Sequence, residues 1–166
     1  MKKIFLPILL IFIFSCSSDN GKKVYDEGLK FYNEKKYSEA LEKFNELINE
    51  YSSGEFREKS LMLIGSMYYM YLIPNVDQNE SNKKAVDYFR ILIKEYPNSK
   101  DSPKAAFLVG YILANHLNKL DEAKLAYQFF LDNYPENELA KSIKLELENL
   151  GKSPEEILQN KISKSK

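Results

Sequence analysis

One arrangement of residues occurs three times in this 166-residue chain, and it limits the fold more than any other feature. Ala123, Tyr127 and Pro135 stand at offsets of 4 and then 8. Ala85, Phe89 and Pro97 repeat those offsets, and Ala40, Phe44 and Ser52 repeat them with Ser in place of Pro. Upstream of each set lies a glycine: Gly28, Gly65 and Gly110. Glycine inside a helix costs about 1 kcal/mol relative to alanine, so its recurrence at equivalent places points to packing. Small residues on two helices let them approach closely, and an aromatic ring one turn further on fills the space beside them. A two-helix unit used three times stacks into an array in which each unit covers its neighbour's apolar face.

The helix periodicity places the units. The first is expected as a helix over Lys22 to Glu34, a turn at Lys35-Lys36, and a second helix striped by Tyr37, Ala40, Leu41, Phe44, Leu47 and Ile48. The second starts near Phe56 and carries Leu61, Ile64, Gly65 and Tyr68. Glycine to alanine is 12 residues in the first unit, 20 in the second and 13 in the third. The surplus lies around Leu72 to Lys83, LIPNVDQNESNK, where Pro74 and the polar run read as a solvated loop. Asp77, Asn79 and Ser81 alternate as in a calcium loop, but Asn82 occupies the place of its glycine and Tyr88 that of its bidentate glutamate. Ser81 or Asn82 is expected to cap a helix over Lys83 to Tyr96, which Pro97 stops. The third unit begins at Asp101-Ser102-Pro103, with proline in the first turn. After it, Glu136 to Leu150 carries Leu139, Ile143, Leu147 and Leu150 on a narrow stripe and reads as a helix that closes the array before Gly151. Ser153-Pro154-Glu155-Glu156 opens a short last helix, followed by a loose Lys/Ser tail. The expected divisions are repeats at about 22–53, 57–98 and 103–136, a cap at 137–150, and a short helix and tail at 151–166.

The N-terminus has a different character. Two lysines precede the apolar run Ile4 to Phe14. Those 11 residues span roughly 16 Å as a helix, about half a bilayer core, so a cleaved leader at 1–15 fits better than a membrane span. The run ends Ile13-Phe14-Ser15-Cys16, which resembles a bacterial lipobox, with Phe14 where that pattern usually has a small or aliphatic residue. The resemblance implies lipidation of Cys16, which becomes the mature N-terminus; several acyl chains, at about 0.8 kcal/mol per buried methylene, form a lasting anchor. Ser17 follows the Cys where the enteric sorting signal has Asp, which implies delivery to the outer membrane. Residues 16–21 would be the lipidated Cys and a tether, which reaches no more than roughly 18 Å and keeps the domain close to the membrane.

Composition gives little support for chemistry. Without the leader lysines the chain has 22 basic and 24 acidic residues, so no electrostatic footprint for nucleic acid exists. His116 is the only histidine and Cys16 the only cysteine, which excludes an intramolecular disulfide and leaves no set for an ordinary zinc site. His116 reads as a surface or capping residue. Asp121-Glu122 and Glu155-Glu156 lie in first turns, where they favour the helix dipole. No serine has an evident base partner, and no glycine-rich phosphate loop is present. The expectation is a protein without catalytic residues, metal or cofactor.

The small-x2-aromatic of the first helix (Gly28 to Phe31 and Gly65 to Tyr68, with Leu113 after Gly110 in the third unit), the Ala-x3-aromatic of each second helix and the closing Pro97 and Pro135 resemble tetratricopeptide repeats over roughly 22 to 135. KEYPNSK and DNYPENELAK behind a lipobox resemble the outer-membrane β-barrel assembly lipoproteins (BamD type) and the Tol–Pal-associated division coordinators. The resemblance implies an all-α solenoid of three helix pairs plus a C-terminal capping helix. It implies that first helices line a concave groove, faced here by Tyr25, Leu29, Tyr32, Met62, Ser66, Tyr69, Phe107, Tyr111 and Asn115. Tyrosine and methionine suit adaptable interfaces. The implied function is a non-enzymatic, outer-membrane-anchored, periplasm-facing scaffold for protein–protein interaction in envelope biogenesis, most like a barrel-assembly accessory. Its partners would be envelope proteins, including the barrel assembly machinery. An adaptor in Tol–Pal or cell-wall division complexes and a peptide- or glycan-binding module are the alternatives.

Overall fold

A computed structural model describes residues 17–164. The leader at 1–15, the lipidation expected at Cys16 and the last two residues of the tail lie outside the described residues. Eight helices follow one another among the described residues, with no strand: α1 (Ser17–Asn33), α2 (Tyr37–Glu50), α3 (Glu55–Tyr69), α4 (Gln78–Glu95), α5 (Ser102–Asn115), α6 (Leu120–Asn133), α7 (Ala140–Asn149) and α8 (Pro154–Lys164). They pack as adjacent antiparallel pairs, α1 with α2, α3 with α4 and α5 with α6, and each pair rests on the next.

The recurring glycines explain the pairing. A methyl group on Gly28 would stand 2.6 Å from the Phe44 ring, on Gly65 2.6 Å from Phe89, and on Gly110 2.5 Å from Tyr127. Each ring therefore approaches bare backbone so closely that any larger residue would force the ring or the helix to shift. Ala40, Ala85 and Ala123 complete the three seats, and all six of these partners are fully buried. One continuous core runs through the seats, filled between pairs by Leu61, Ile64, Met67, Leu92, Ile112, Leu113 and Phe130. It ends on Ile143 of α7, with Leu139, Leu147 and Leu150 packed around it.

The first two pairs have an additional tie. Arg57 of α3 donates to both carboxylate oxygens of Glu95 on α4, at 2.8 and 2.9 Å. It also donates to the carbonyl of Tyr51 at 3.1 Å and to that of Ile48. One planar guanidinium thus satisfies the open C-terminal carbonyls of α2 and joins them to α4.

Three boundaries differ from the sequence expectations. Helix α1 starts at Ser17, so residues 17–21, read as a tether, form its first turns. Gly21 is buried against the Tyr51 ring, and that contact gives the extra turns something to rest on. Helix α4 starts at Gln78, five residues before Lys83. Its cap is Asp77, whose side chain accepts from the Glu80 amide at 2.9 Å, whereas Ser81 and Asn82, expected as caps, are buried within the helix. The surplus of the second unit is therefore split. One part makes α4 18 residues long, against 14 in α2 and α6; the rest makes the connection 70–77. That connection is not simply solvated, because Ile73 is buried in the core with Leu72 and Val76 packed against it. Finally, α7 begins at Ala140, after a turn at 136–139, where Asn137 accepts from the Leu139 amide at 3.0 Å.

Candidate functional site

Binding in a helical array depends on what each face leaves accessible. The residues expected to face a groove are half-buried along α1, α3 and α5, apart from Asn115, which is exposed. Tyr25 lies 5.8 Å from Phe44 and 5.4 Å from Phe56, with the Lys59 ammonium 6.0 Å above its ring. Burial raises its phenol pKa, and Lys59 partly offsets that. Tyr32 meets Tyr37 edge-on at 5.7 Å. Ser66 donates to the Met62 carbonyl at 2.8 Å and Asn115 to the Tyr111 carbonyl at 3.0 Å, so both polar groups are spent within their own helices. Leu29 and Met62 pack against the core.

Two of these residues come together through a third that the sequence treats as a cap. His116 does cap the C-terminus of α5, and it also meets Tyr111 edge-on at 5.7 Å and Tyr69 at 6.0 Å. Tyr71 closes the group: its hydroxyl lies 3.5 Å from His116 Nδ1 and within hydrogen-bond reach of the buried Asn82 amide, at 3.1 Å. Phe107 extends the cluster through Tyr111, at 5.8 Å. Side chains from α3, its following connection and α5 thus form one aromatic surface. The Tyr25 and Tyr32 contacts form two smaller groups, each apart from it.

A second surface was not anticipated from the sequence. Between α4 and α6, with α5 as its floor, opens an apolar cavity of about 540 Å³. Ala106 and Val109 form the floor, Ile93 and Pro97 stand on the α4 side, and Leu125, Ala126 and Phe129 on the α6 side. Leu125 is 72% exposed and Phe129 41%. Arg90 reaches across to Glu122 at 3.2 Å, and Lys119 holds the same carboxylate at 2.7 Å. The hydrogen bonds from Lys119 and Arg90 lower the Glu122 pKa. At the other end the Tyr134 hydroxyl donates to the Pro97 carbonyl at 3.1 Å. Lys94, on the α4 rim, makes no ion pair among the described residues. The signal in the sequence was the pair Leu125 and Phe129, one turn apart and off the stripe of Ala123, Tyr127 and Phe130.

The titratable groups follow structural causes. Tyr127 has its pKa pushed up to about 12 by burial, and its hydroxyl has no partner, so the phenol stays protonated and inert at neutral pH. The other displaced values belong to buried and half-buried tyrosines, to ion pairs such as Lys59 with Glu55 and Arg57 with Glu95, and to Glu155, lowered by hydrogen bonds at the start of α8. Among the described residues no group of three or more His, Cys, Asp or Glu side chains stands together as a metal site would require, and no helix is long and apolar enough to cross a membrane.

No curated protein matches the chain. A tetratricopeptide repeat family model matches residues 59–99, which run through α3 and α4 into the turn before α5. With eight helices packed in adjacent pairs, the fold is an all-α solenoid of the tetratricopeptide repeat type, an architecture that typically serves as a non-catalytic scaffold for protein partners.

Proposed function

We propose that this protein is a lipid-anchored scaffold on the periplasmic face of the outer membrane, binding envelope proteins and most like an accessory of β-barrel assembly. The address is supported by the leader and its Ile13-Phe14-Ser15-Cys16 ending. The binding role is supported by the repeat fold, and above all by the convergence of Tyr69, Tyr71, Tyr111 and His116 from two units on one surface. Large, stiff aromatic side chains contribute contact area at little entropic cost, which is why they dominate interface cores.

The test is photocrosslinking in cells from a residue placed at Tyr69, with mass spectrometry of what is captured. Capture of the barrel insertase or its accessories supports the reading. Peptidoglycan-linked or Tol–Pal proteins in its place would transfer the protein to the division machinery. With the crosslinking residue moved to the exposed Asn115, Tyr69→Ala with Tyr111→Ala should abolish capture while the helical signal and melting temperature persist; unchanged capture would remove this surface from the argument. Labelling with a palmitate analogue, lost in Cys16→Ser, tests the anchor separately.

A further inference from the structure

The apolar groove between α4 and α6 and the terminal helix α8 are complementary to each other. Helix α8 keeps its apolar residues out of the core: Leu158 is 60% exposed and Ile162 53%. Among the described residues it shares no substantial contact with another helix. Its start is nonetheless well defined. Ser153 accepts from the Glu156 amide at 3.2 Å, and Glu156 accepts from the Ser153 amide at 2.8 Å, a reciprocal capping box that fixes the helix start from within. Glu155, Leu158 and Ile162 follow at spacings of 3 and then 4, so an acid and two apolar side chains lie along one face.

The groove presents the opposite set. Leu125 and Phe129 stand exposed one turn apart on α6, and Arg90 and Lys94 one turn apart on the α4 rim. Glu122 is shared by Arg90 and Lys119, so this rim is net positive, and Lys94 makes no ion pair among the described residues. Lengths agree as well: the α6 wall from Glu122 to Asn133 and the 11-residue α8 each extend roughly 16 Å. We infer that α8 of one copy seats in the α4/α6 groove of a second copy, with Leu158 and Ile162 on Leu125 and Phe129 and Glu155 at Lys94. The inference depends on neither the membrane address nor the Tyr69 surface, so its failure and theirs are separable.

The experiment uses two differently tagged copies of the full chain expressed together, one carrying Leu125→Cys and the other Leu158→Cys, treated in cells with a short bismaleimide. Pairing each with the unsubstituted chain gives the background from Cys16. Both positions are largely exposed, so both variants should keep the wild-type melt. The expected result is a heterodimer at least tenfold above background. Lys94→Glu in the groove copy should lower the yield severalfold, and Glu155→Lys in the other copy should restore it. Yield at background, or unmoved by Lys94→Glu, overturns the inference. So does a single copy bearing both cysteines that links only to itself, which would make α8 an internal latch. Capture of a different protein from Leu125→Cys in place of the second copy would likewise overturn it.

Discussion

Tyr127 and Phe129 are two residues apart on α6, yet Tyr127 is fully buried against the bare backbone of Gly110 while Phe129 is 41% exposed beside an open groove. Phe130, the next residue, is again fully buried. The helix thus has two apolar faces of different standing. The inner face, Ala123, Tyr127 and Phe130, is fixed by neighbours on both sides and has no freedom to serve a partner. The outer face, Leu125 and Phe129, contributes little to the fold and is available. Apolar character alone does not separate the two, because an exposed large hydrophobic residue is informative only when it has company.

Substitutions on the two faces should differ in scale. Phe130→Ala should cost about 3–5 kcal/mol, because a buried ring leaves a cavity that packed helices cannot close; chemical denaturation measures this, and a loss near zero would place Phe130 with the outer face. Gly110→Ala comes next. The new methyl meets the Tyr127 ring, so despite alanine's better helix propensity the change should destabilise by about 1–3 kcal/mol, as should Gly65→Ala against Phe89. A stabilising result would show that the ring has room to move.

Tyr127→Phe should act in the other direction. Its hydroxyl is buried without a partner, and the equivalent seats at Phe44 and Phe89 do without one. Removing it should stabilise by about 1 kcal/mol. The same variant changes the alkaline limit. With a folded-state pKa of about 12 against the ordinary 10, Tyr127 holds its proton in the native chain after the unfolded chain has released it. Its contribution is therefore constant below pH 10 and falls as pH rises from 10 to 12. Melts across that range should show a shallower decline for Tyr127→Phe than for the wild type. Smallest of all, Leu125→Glu should leave stability within about 0.5 kcal/mol, since the residue is 72% exposed. A larger loss would mean that the outer face belongs to the core.

The fold was legible because its constraint is local and repeated. Gly28, Gly65 and Gly110 are costly in helices, and a close approach explains their return ahead of each Ala-x3-aromatic set, with Phe44, Phe89 and Tyr127 as the rings that meet them. The start of α4 was legible too, in Asp77 and Glu80 at capping-box spacing, but the polar residues between Gln78 and Lys84 suggested a loop. Burial of Ser81 and Asn82 overrode their weak helix propensity. The aromatic surface was readable in part. Tyr69 and Tyr111 both lie on the expected groove face, four residues after Gly65 and one after Gly110, but their meeting through His116 and Tyr71 depends on how one pair is rotated on the next. The α4/α6 groove was least legible, because its walls come from two units and its floor from a third helix, and no spacing within one helix encodes a space between three.

Among the described residues, substantial helix–helix contacts run between sequential neighbours, with α1 against α3 as the one skip. Under mechanical load such a chain behaves as a zipper. Force applied at the ends should release helices singly, starting from α7 and α8, where fewest residues enter the core, and the α2–α3–α4 junction held by Arg57 should yield late. A protein built this way can lose its end under tension and recover it when the tension stops, because the pairs that remain folded are a template for the next helix to return.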